Sequence, residues 1–184
     1  MNKAQARQIA RERVAAMRDA ERADAAQAAA RALIDSGLLR GCVLAYLSLP
    51  SEMDTQPLLD ACLARGCTVY VPVVRGETMR FVRYTRDCEM RAGAYGIREP
   101  IGAESDAVPI AADVCVTPMA AIDAHGNRAG KGKGYYDRYF AVAPSCVRIG
   151  YGYDAQVVDA IDDVGAHDVP MQYLATECGC RELR

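Results

Sequence analysis

The sequence predicts an α/β fold in three layers, a mostly parallel sheet flanked by helices, as a single domain over residues 1–184 with a long N-terminal helix. Three observations carry this. Short apolar, β-prone runs alternate with helix-period segments along the chain, the arrangement that builds parallel strands through helical crossovers. One strand, helix, strand succession within residues 42–73 has the spacing of a βαβ unit, which demands a right-handed crossover. The 184 residues are enough for one substantial core and too few for two.

The elements follow in order. From Lys3 to about Ser36 the chain is rich in Ala, Arg, Gln and Glu, holds no Pro or Gly, and meets a C-terminal cap at Gly37, so one long helix is expected. Lys3, Arg7 and Arg11 repeat every four residues on it, with Arg18 and Arg22 extending the stripe; charge pattern alone reads this as a solvated basic face balanced by Glu12, Asp19, Glu21 and Asp24. Cys42 to Leu47 is a buried strand, and Thr55 to Arg65, with Pro57 in its first turn, is a helix stopped by Gly66. Thr68 to Val73 returns as the parallel strand. The intervening loop, residues 48–55, lies at the carboxyl end of the first strand, where open α/β sheets bind ligands. Asp54 is placed there to cap the helix, and Glu52 less so.

Met79 to Tyr84 alternates as a half-buried strand, Gly93 to Pro100 is turn-rich, and Ala103 to Ala112 reads as a connecting loop. Asp113 to Thr117 is a short buried strand leading to a glycine-rich segment. A helix from about Tyr135, a strand from Val147 to Tyr151, a helical patch near Gln156 and a last strand from Gln172 to Thr176 complete the alternation.

Composition narrows the function. With 22 basic and 24 acidic side chains the net charge is −2, so no global field draws nucleic acid, and any such role would rest on a local patch. The eight cysteines sit mostly alone in apolar runs, the usage of reduced core thiols, and Cys178 and Cys180 form one short pair without companion histidines. No apolar stretch follows the basic N-terminus, which argues for no membrane association and a cytoplasmic setting.

The most informative segment runs from Asn127 to Tyr139 and packs three alternating glycines, four cations, three tyrosines and one carboxylate together. Gly130, Gly132 and Gly134 free the backbone for positive φ and close approach to an anion, while Arg128, Lys131, Lys133 and Arg138 add positive charge. The helix that resumes at Tyr135 aims its N-terminus at the same anion, and Asp137 in its first turn is placed to help hold a divalent cation. The spacing fits neither a Walker A loop nor a dinucleotide fingerprint, and a solvated cationic loop is the plain alternative. Tyr135 and Tyr136 offer a ring to a ligand and a hydroxyl to phosphate. His125 and His167, the two histidines, are expected to end a turn with Gly126 and to pack or cap.

Four segments together resemble the 5-formyltetrahydrofolate cyclo-ligase family, also called methenyltetrahydrofolate synthetase. They are Lys3-x-x-x-Arg7, Ser51-Glu52-Met53-Asp54-Thr55, Gly96-Ile97-Arg98-Glu99-Pro100 and, most specifically, Gly126 through Asp137. The family usually has Leu or Ile where Ala129 stands. The resemblance implies a reaction in which 5-formyltetrahydrofolate and MgATP give 5,10-methenyltetrahydrofolate, ADP and phosphate. It implies ATP contacts at Lys3, Arg7, Arg128, Ala129, Gly130, Lys131, Gly132, Lys133, Gly134, Tyr135 and Tyr136, overriding the solvated-face reading of the first helix. Folate contacts are implied at Leu47, Glu52, Lys131, Gly132, Lys133, Gly134 and Tyr135, and Mg²⁺ contacts at Asp137 and Asp168. Lys133, Arg128 and Tyr136 are the catalytic candidates. Two other readings remain at this level: a nucleic-acid binder gripping phosphates with the Arg stripe and the cationic loop, and a folate-sequestering relative without turnover. The expected partners are small molecules, and the expected state is a monomer.

Overall fold

A computed structural model describes residues 1–76, 78–93, 96, 98–102, 104–105 and 112–183. Strands β1 (Cys42–Leu44), β2 (Thr68–Arg75) and the helix between them, α3 (Gln56–Ala64), form the expected βαβ unit, with β1 and β2 parallel and Val43 opposite Val69. Pro57 lies in the first turn of α3, where its missing N–H costs nothing. From β2 the chain turns back into β3 (Thr78–Tyr84), antiparallel to it, and β3 in turn pairs with the short β6 (Glu104–Ser105).

The chain then crosses to the other side of β1. There β7 (Val114–Pro118), β10 (Val147–Tyr151) and β11 (Tyr173–Thr176) add in parallel, and β12 (Gly179–Glu182) closes the edge antiparallel to β11. The resulting eight-stranded order is β12-β11-β10-β7-β1-β2-β3-β6. Strand order therefore reverses between β1 and β7, the point at which two loops diverge and leave a crevice at the carboxyl ends of the strands.

Both sheet faces are covered. On one, α2 (Asp19–Asp35) and α3 press Ala26, Ala29, Leu33, Leu58 and Leu59 against Val43, Val69, Val71, Val114, Val116 and Ile149. On the other, Tyr139 and Phe140 of α4 (Tyr135–Val142) pack with Leu44, Phe81, Cys115 and Leu174. Burial on both faces explains why these strands read as continuous apolar runs rather than as alternation.

The long first helix is two helices. The chain leaves α1 (Lys3–Ala15) at Ala16, and Arg18 adopts an extended conformation at φ −71° and ψ 154° before α2 begins. Glu21 fixes this break by accepting from the Arg18 N–H at 2.8 Å, an N-terminal cap that competes with continued helix. The two halves serve different surfaces. Ala6 and Ala10 of α1 pack with Ala121, Ala129, Val158 and Ile161, whereas α2 lies on the main sheet. No local propensity announces that division, because no Pro or Gly marks it.

Smaller differences have similar causes. The first strand stops at Leu44, although Ala45 still donates to the Tyr70 carbonyl. The patch near Gln156 is a single 3-10 turn, Asp154–Gln156, and the turn-rich passage contains β5 (Arg98–Pro100), which pairs with β4 (Met90–Ala92). A two-residue-wide hairpin, β8 (Ala121–Ile122) with β9 (Arg128–Ala129), precedes the glycine loop. Most of the expected connecting loop, at positions 103 and 106–111, lies outside the described residues. Residues 94, 95 and 97 of the turn-rich passage do so as well.

Candidate active site

Two loops meet at the switch point. The first leaves β1 and is a closed turn: the Thr55 hydroxyl reaches back to donate to the Tyr46 carbonyl at 2.8 Å and accepts from Ser48 N–H at 3.2 Å. Met53 and Thr55, each 1% exposed, anchor it from below. With its ends fixed in this way, the turn holds Glu52 inward. The Leu49 N–H donates to Glu52 Oε2 at 2.8 Å, and the Glu52 backbone carbonyl accepts from the Tyr153 hydroxyl. Asp54 performs the expected helix-start role by accepting from the Gln56 N–H at 3.0 Å.

The second loop follows β7 through the β8–β9 hairpin. Its turn is organised by Asp123, a buried carboxylate accepting from the N–H groups of His125, Asn127 and Ile161 and from the Asn127 side chain. Gly126 has φ 82°, and a Cβ there would run into the Met171 carbonyl, so only glycine serves. Beyond the hairpin, Gly132 and Gly134 take φ of 80° and 63° and carry the loop directly into α4. Gly134 caps α4 without any side-chain hydrogen bond, leaving the first amide N–H groups of the helix facing the cleft.

Between the loops lies a cleft of about 460 Å³. Lys3, Arg7, Leu47, Glu52, Arg128, Gly130 to Tyr136, Asp137 and Asp168 all line it, drawn from α1, the β1 loop, the hairpin, α4 and the segment before β11. Ala129 does not: as part of β9 it is fully buried between the hairpin and α1, among Ala6, Ala10 and Ala121. His125 ends the turn as expected, whereas His167 is exposed rather than packed. Arg18 turns to Glu21, and Arg22 to the Pro50 carbonyl, so the helix break removes both from the Lys3–Arg7 stripe.

The cleft cations are arranged in pairs. Lys3 binds Asp168, Arg128 binds Asp137 at 2.9 Å, and Lys131 binds Glu52 at 2.7 Å. Arg7 donates to the Gly130 carbonyl at 2.6 Å, tying α1 to the glycine loop. Arg128 is the most enclosed of these, its side chain 7% exposed and its guanidinium 5.7 Å from the centre of the Tyr136 ring. Its Nε is buried without a hydrogen-bond partner among the described residues, a cost that a ligand oxygen in the cleft would relieve. Lys133 is exposed, and its ammonium makes no hydrogen bond or ion pair among the described residues.

Burial pushes the Tyr136 phenol well above its ordinary range, with Cys115 and Glu52 adding and Arg128 opposing, so it is a neutral hydrogen-bond donor. Burial would raise the Asp168 carboxyl, but hydrogen bonds from Lys3 and the Gly165 N–H and the charges of Lys3 and Arg128 hold it below the usual carboxylate range.

Asp137 and Asp168 are the metal candidates. Asp137 Oδ1 takes the bonds from Arg128 and from the Val169 N–H, and Asp168 Oδ2 those from Lys3 and Gly165. Among the described residues the other oxygen of each takes no hydrogen bond and is open to a ligand. Among the described residues no group of three or more His, Cys, Asp and Glu gathers to hold a metal alone. Two hard oxygens without nitrogen or sulfur would suit Mg²⁺, with water supplying most of its remaining ligands.

Several wall residues escape sequence reasoning. Tyr46, Pro72, Val74, Met79, Pro118 and Met119 form the apolar side. Glu99, 4% exposed and paired with Arg75 at 2.9 Å, faces it as well. The only local signal was position, since Tyr46 and Pro118 sit at the carboxyl ends of strands. Glu99 also falls within a motif that had no role attached.

A cationic glycine loop closing over an apolar cleft at the switch point of a parallel sheet defines an α/β enzyme acting on small molecules. The chain belongs to the 5-formyltetrahydrofolate cyclo-ligase family, whose model matches residues 1–177, and it is accordingly a ligase. It is 32% identical over 144 residues to the 5-formyltetrahydrofolate cyclo-ligase of Escherichia coli K12, covering 73% of this chain and 76% of that one. Its likeness to the Mycolicibacterium smegmatis 5-formyltetrahydrofolate cyclo-ligase is 34% over 143 residues, covering 73% and 72%. The solved structure of Aquifex aeolicus 5,10-methenyltetrahydrofolate synthetase superposes with a TM-score of 0.83 at 28% identity, covering 100% of this chain and 94% of that one. A 5,10-methenyltetrahydrofolate synthetase from Mycoplasma pneumoniae shares the fold at a TM-score of 0.74 and 20% identity, covering 96% and 99%.

Proposed function

We propose that this ligase converts 5-formyltetrahydrofolate to 5,10-methenyltetrahydrofolate at the expense of ATP. The observation that carries the reading is the Glu52 carboxylate facing the cationic glycine loop across one cleft, with Lys131 only 2.7 Å from it. A carboxylate accepts paired hydrogen bonds from an aminopyrimidine edge, and the loop's amides and cations suit a triphosphate. One cleft thus has an end for each substrate.

A formamide is a poor electrophile. The formyl oxygen therefore attacks the γ-phosphorus, ADP leaves, and the carbon now bears a phosphate ester on a C=N bond. N10 adds to that carbon and loses its proton, and cleavage of the C–O bond releases phosphate and leaves the methenyl bridge. No covalent enzyme nucleophile is required. Lys133, uncommitted in the cleft, neutralises the charge that spreads over the transferring phosphoryl group, and Arg128 presents a fixed guanidinium to it. Tyr136, held as a neutral phenol, donates to a phosphate oxygen. Lys3 and Arg7 reach the nucleotide from α1, with Gly130, Lys131, Gly132, Gly134 and Tyr135 around its phosphates, while Leu47 packs on the pterin. Ala129 contributes only beneath the loop. Asp137 and Asp168 would hold Mg²⁺, which would supply further neutralisation of the phosphates.

The test follows near-ultraviolet absorbance of the methenyl product and ADP release in one reaction. Both rising together, and only with 5-formyltetrahydrofolate and MgATP present, is expected. ADP formation without methenyl product would overturn the reading.

A further inference from the structure

Three ion pairs of the cleft, Lys3–Asp168, Arg128–Asp137 and Lys131–Glu52, differ in how firmly their cations are held. Arg128 is enclosed, 7% exposed and stacked on Tyr136, so it stays where it is. Lys131 is 56% exposed, lies between Gly130 and Gly132, and its ammonium pairs among the described residues only with Glu52, whose own side chain is 11% exposed. Gly132 at φ 80° gives the backbone beside it freedom to swing. Both oxygens of the Glu52 carboxylate already accept at the same time, Oε1 from Lys131 and Oε2 from the Leu49 N–H.

On the substrate assignment above, we propose that Lys131 is a positioning residue that couples the two substrates: it occupies Glu52 in the empty cleft and moves to the triphosphate when nucleotide binds, opening the carboxylate to the pterin. The chemistry favours an exchange. A paired contact from an aminopyrimidine edge needs both carboxylate oxygens, so it competes with the Lys131 ammonium at Oε1, where two positive donors side by side repel. A triphosphate carries several negative charges against the single charge of Glu52 and offers more oxygens to the three ammonium N–H groups. Nucleotide therefore relieves a competitor at the folate end, and by linkage folate favours nucleotide by the same factor.

The experiment titrates 5-formyltetrahydrofolate into the full-length protein by calorimetry, with and without Mg²⁺ and the non-hydrolysable analogue adenylyl imidodiphosphate. Wild-type affinity is expected to rise about tenfold with the nucleotide, within the usual range for coupled sites. Lys131→Met should bind folate tightly without nucleotide and show no further gain, while Lys131→Arg, which keeps the charge and the donors, should restore the coupling. Lys131 is exposed, so its replacement leaves the core packing untouched, and circular dichroism checks that the fold is kept. Equal wild-type affinity in the two conditions, in protein that turns over, overturns the exchange while leaving the reaction standing. Weaker folate binding by Lys131→Met without nucleotide overturns it too, since Lys131 would then be a folate contact. Absence of folate binding and of turnover in the wild type overturns the substrate reading, and the exchange with it.

Discussion

Single side chains in the cleft divide by what already holds them. The Lys133 ammonium makes no hydrogen bond or ion pair among the described residues, so Lys133→Ala should leave the thermal midpoint unchanged. Its effect should fall on kcat, by about a hundredfold or more, the usual result of removing a group that meets charge only in the transition state. An unchanged kcat would remove it from the chemistry. Glu52→Ala should instead raise the folate KM well above any change in the ATP KM, because the Leu49 and Lys131 bonds place this carboxylate at the folate end. Equal changes in both constants would contradict that placement. Asp168 gives a pH signature. Its carboxyl is depressed in the folded state, so its contribution to stability is present above the ordinary Asp value of about 3.9 and is lost as pH falls through the lower folded value. Wild type should therefore lead Asp168→Asn in denaturant midpoint near neutrality and converge with it below about pH 4. A constant difference across that range would show that the Lys3 pair does not stabilise the fold.

The most consequential elements were the ones hardest to read. Ala-rich residues 3–36 carry no breaker, and their propensity is uniformly helical. The division at Arg18 arises because α1 must lie on the β8–β9 hairpin while α2 lies on the main sheet, and one straight rod cannot cover both. That division aims Lys3 and Arg7 into the cleft. Ala10, fully buried against the hairpin, sets the distance. Ala10→Leu should lift α1, cost about 1–3 kcal/mol through overpacking, and raise the ATP KM more than the folate KM. An unaltered ATP KM in a destabilised variant would detach α1 from the nucleotide. The hairpin was missed because strands of two residues are too short to show a period, and β12 because Gly179-Cys180-Arg181-Glu182 carries no apolar run. By contrast β1, α3, β2, β10 and α4 were legible: each carries an apolar pattern bounded by Gly or Pro, and Pro57, Gly66 and Gly134 mark ends that the structure keeps.

Across the whole molecule, one cluster of residues links the α2–α3 layer to the sheet and another links the sheet to α4, both through the same central strands. We expect a single cooperative unfolding transition, and two resolved transitions by calorimetry would instead split the chain. The cysteines report on the same packing. Four of the eight are buried, burial pushes the Cys62 thiol up to about 12 and Cys146 to about 11, and Cys178 alone is exposed. No helix among the described residues is long and apolar enough to cross a membrane. The sequence by itself determined the α/β class, the central parallel unit and the identity of nearly every polar residue in the cleft. It could do so because hydrophobic period, turn residues and the run from Gly126 to Asp137 are local properties of the chain, while Lys3, Arg7, Glu52 and Asp168 were implied by the resemblance to the cyclo-ligase family. Only the tertiary structure decided which cation faces which carboxylate, which residues form the apolar wall, and that Ala129 lies under the loop rather than in it. Those outcomes depend on elements distant in sequence meeting at one sheet edge, where packing and charge pairing, rather than propensity, select the arrangement.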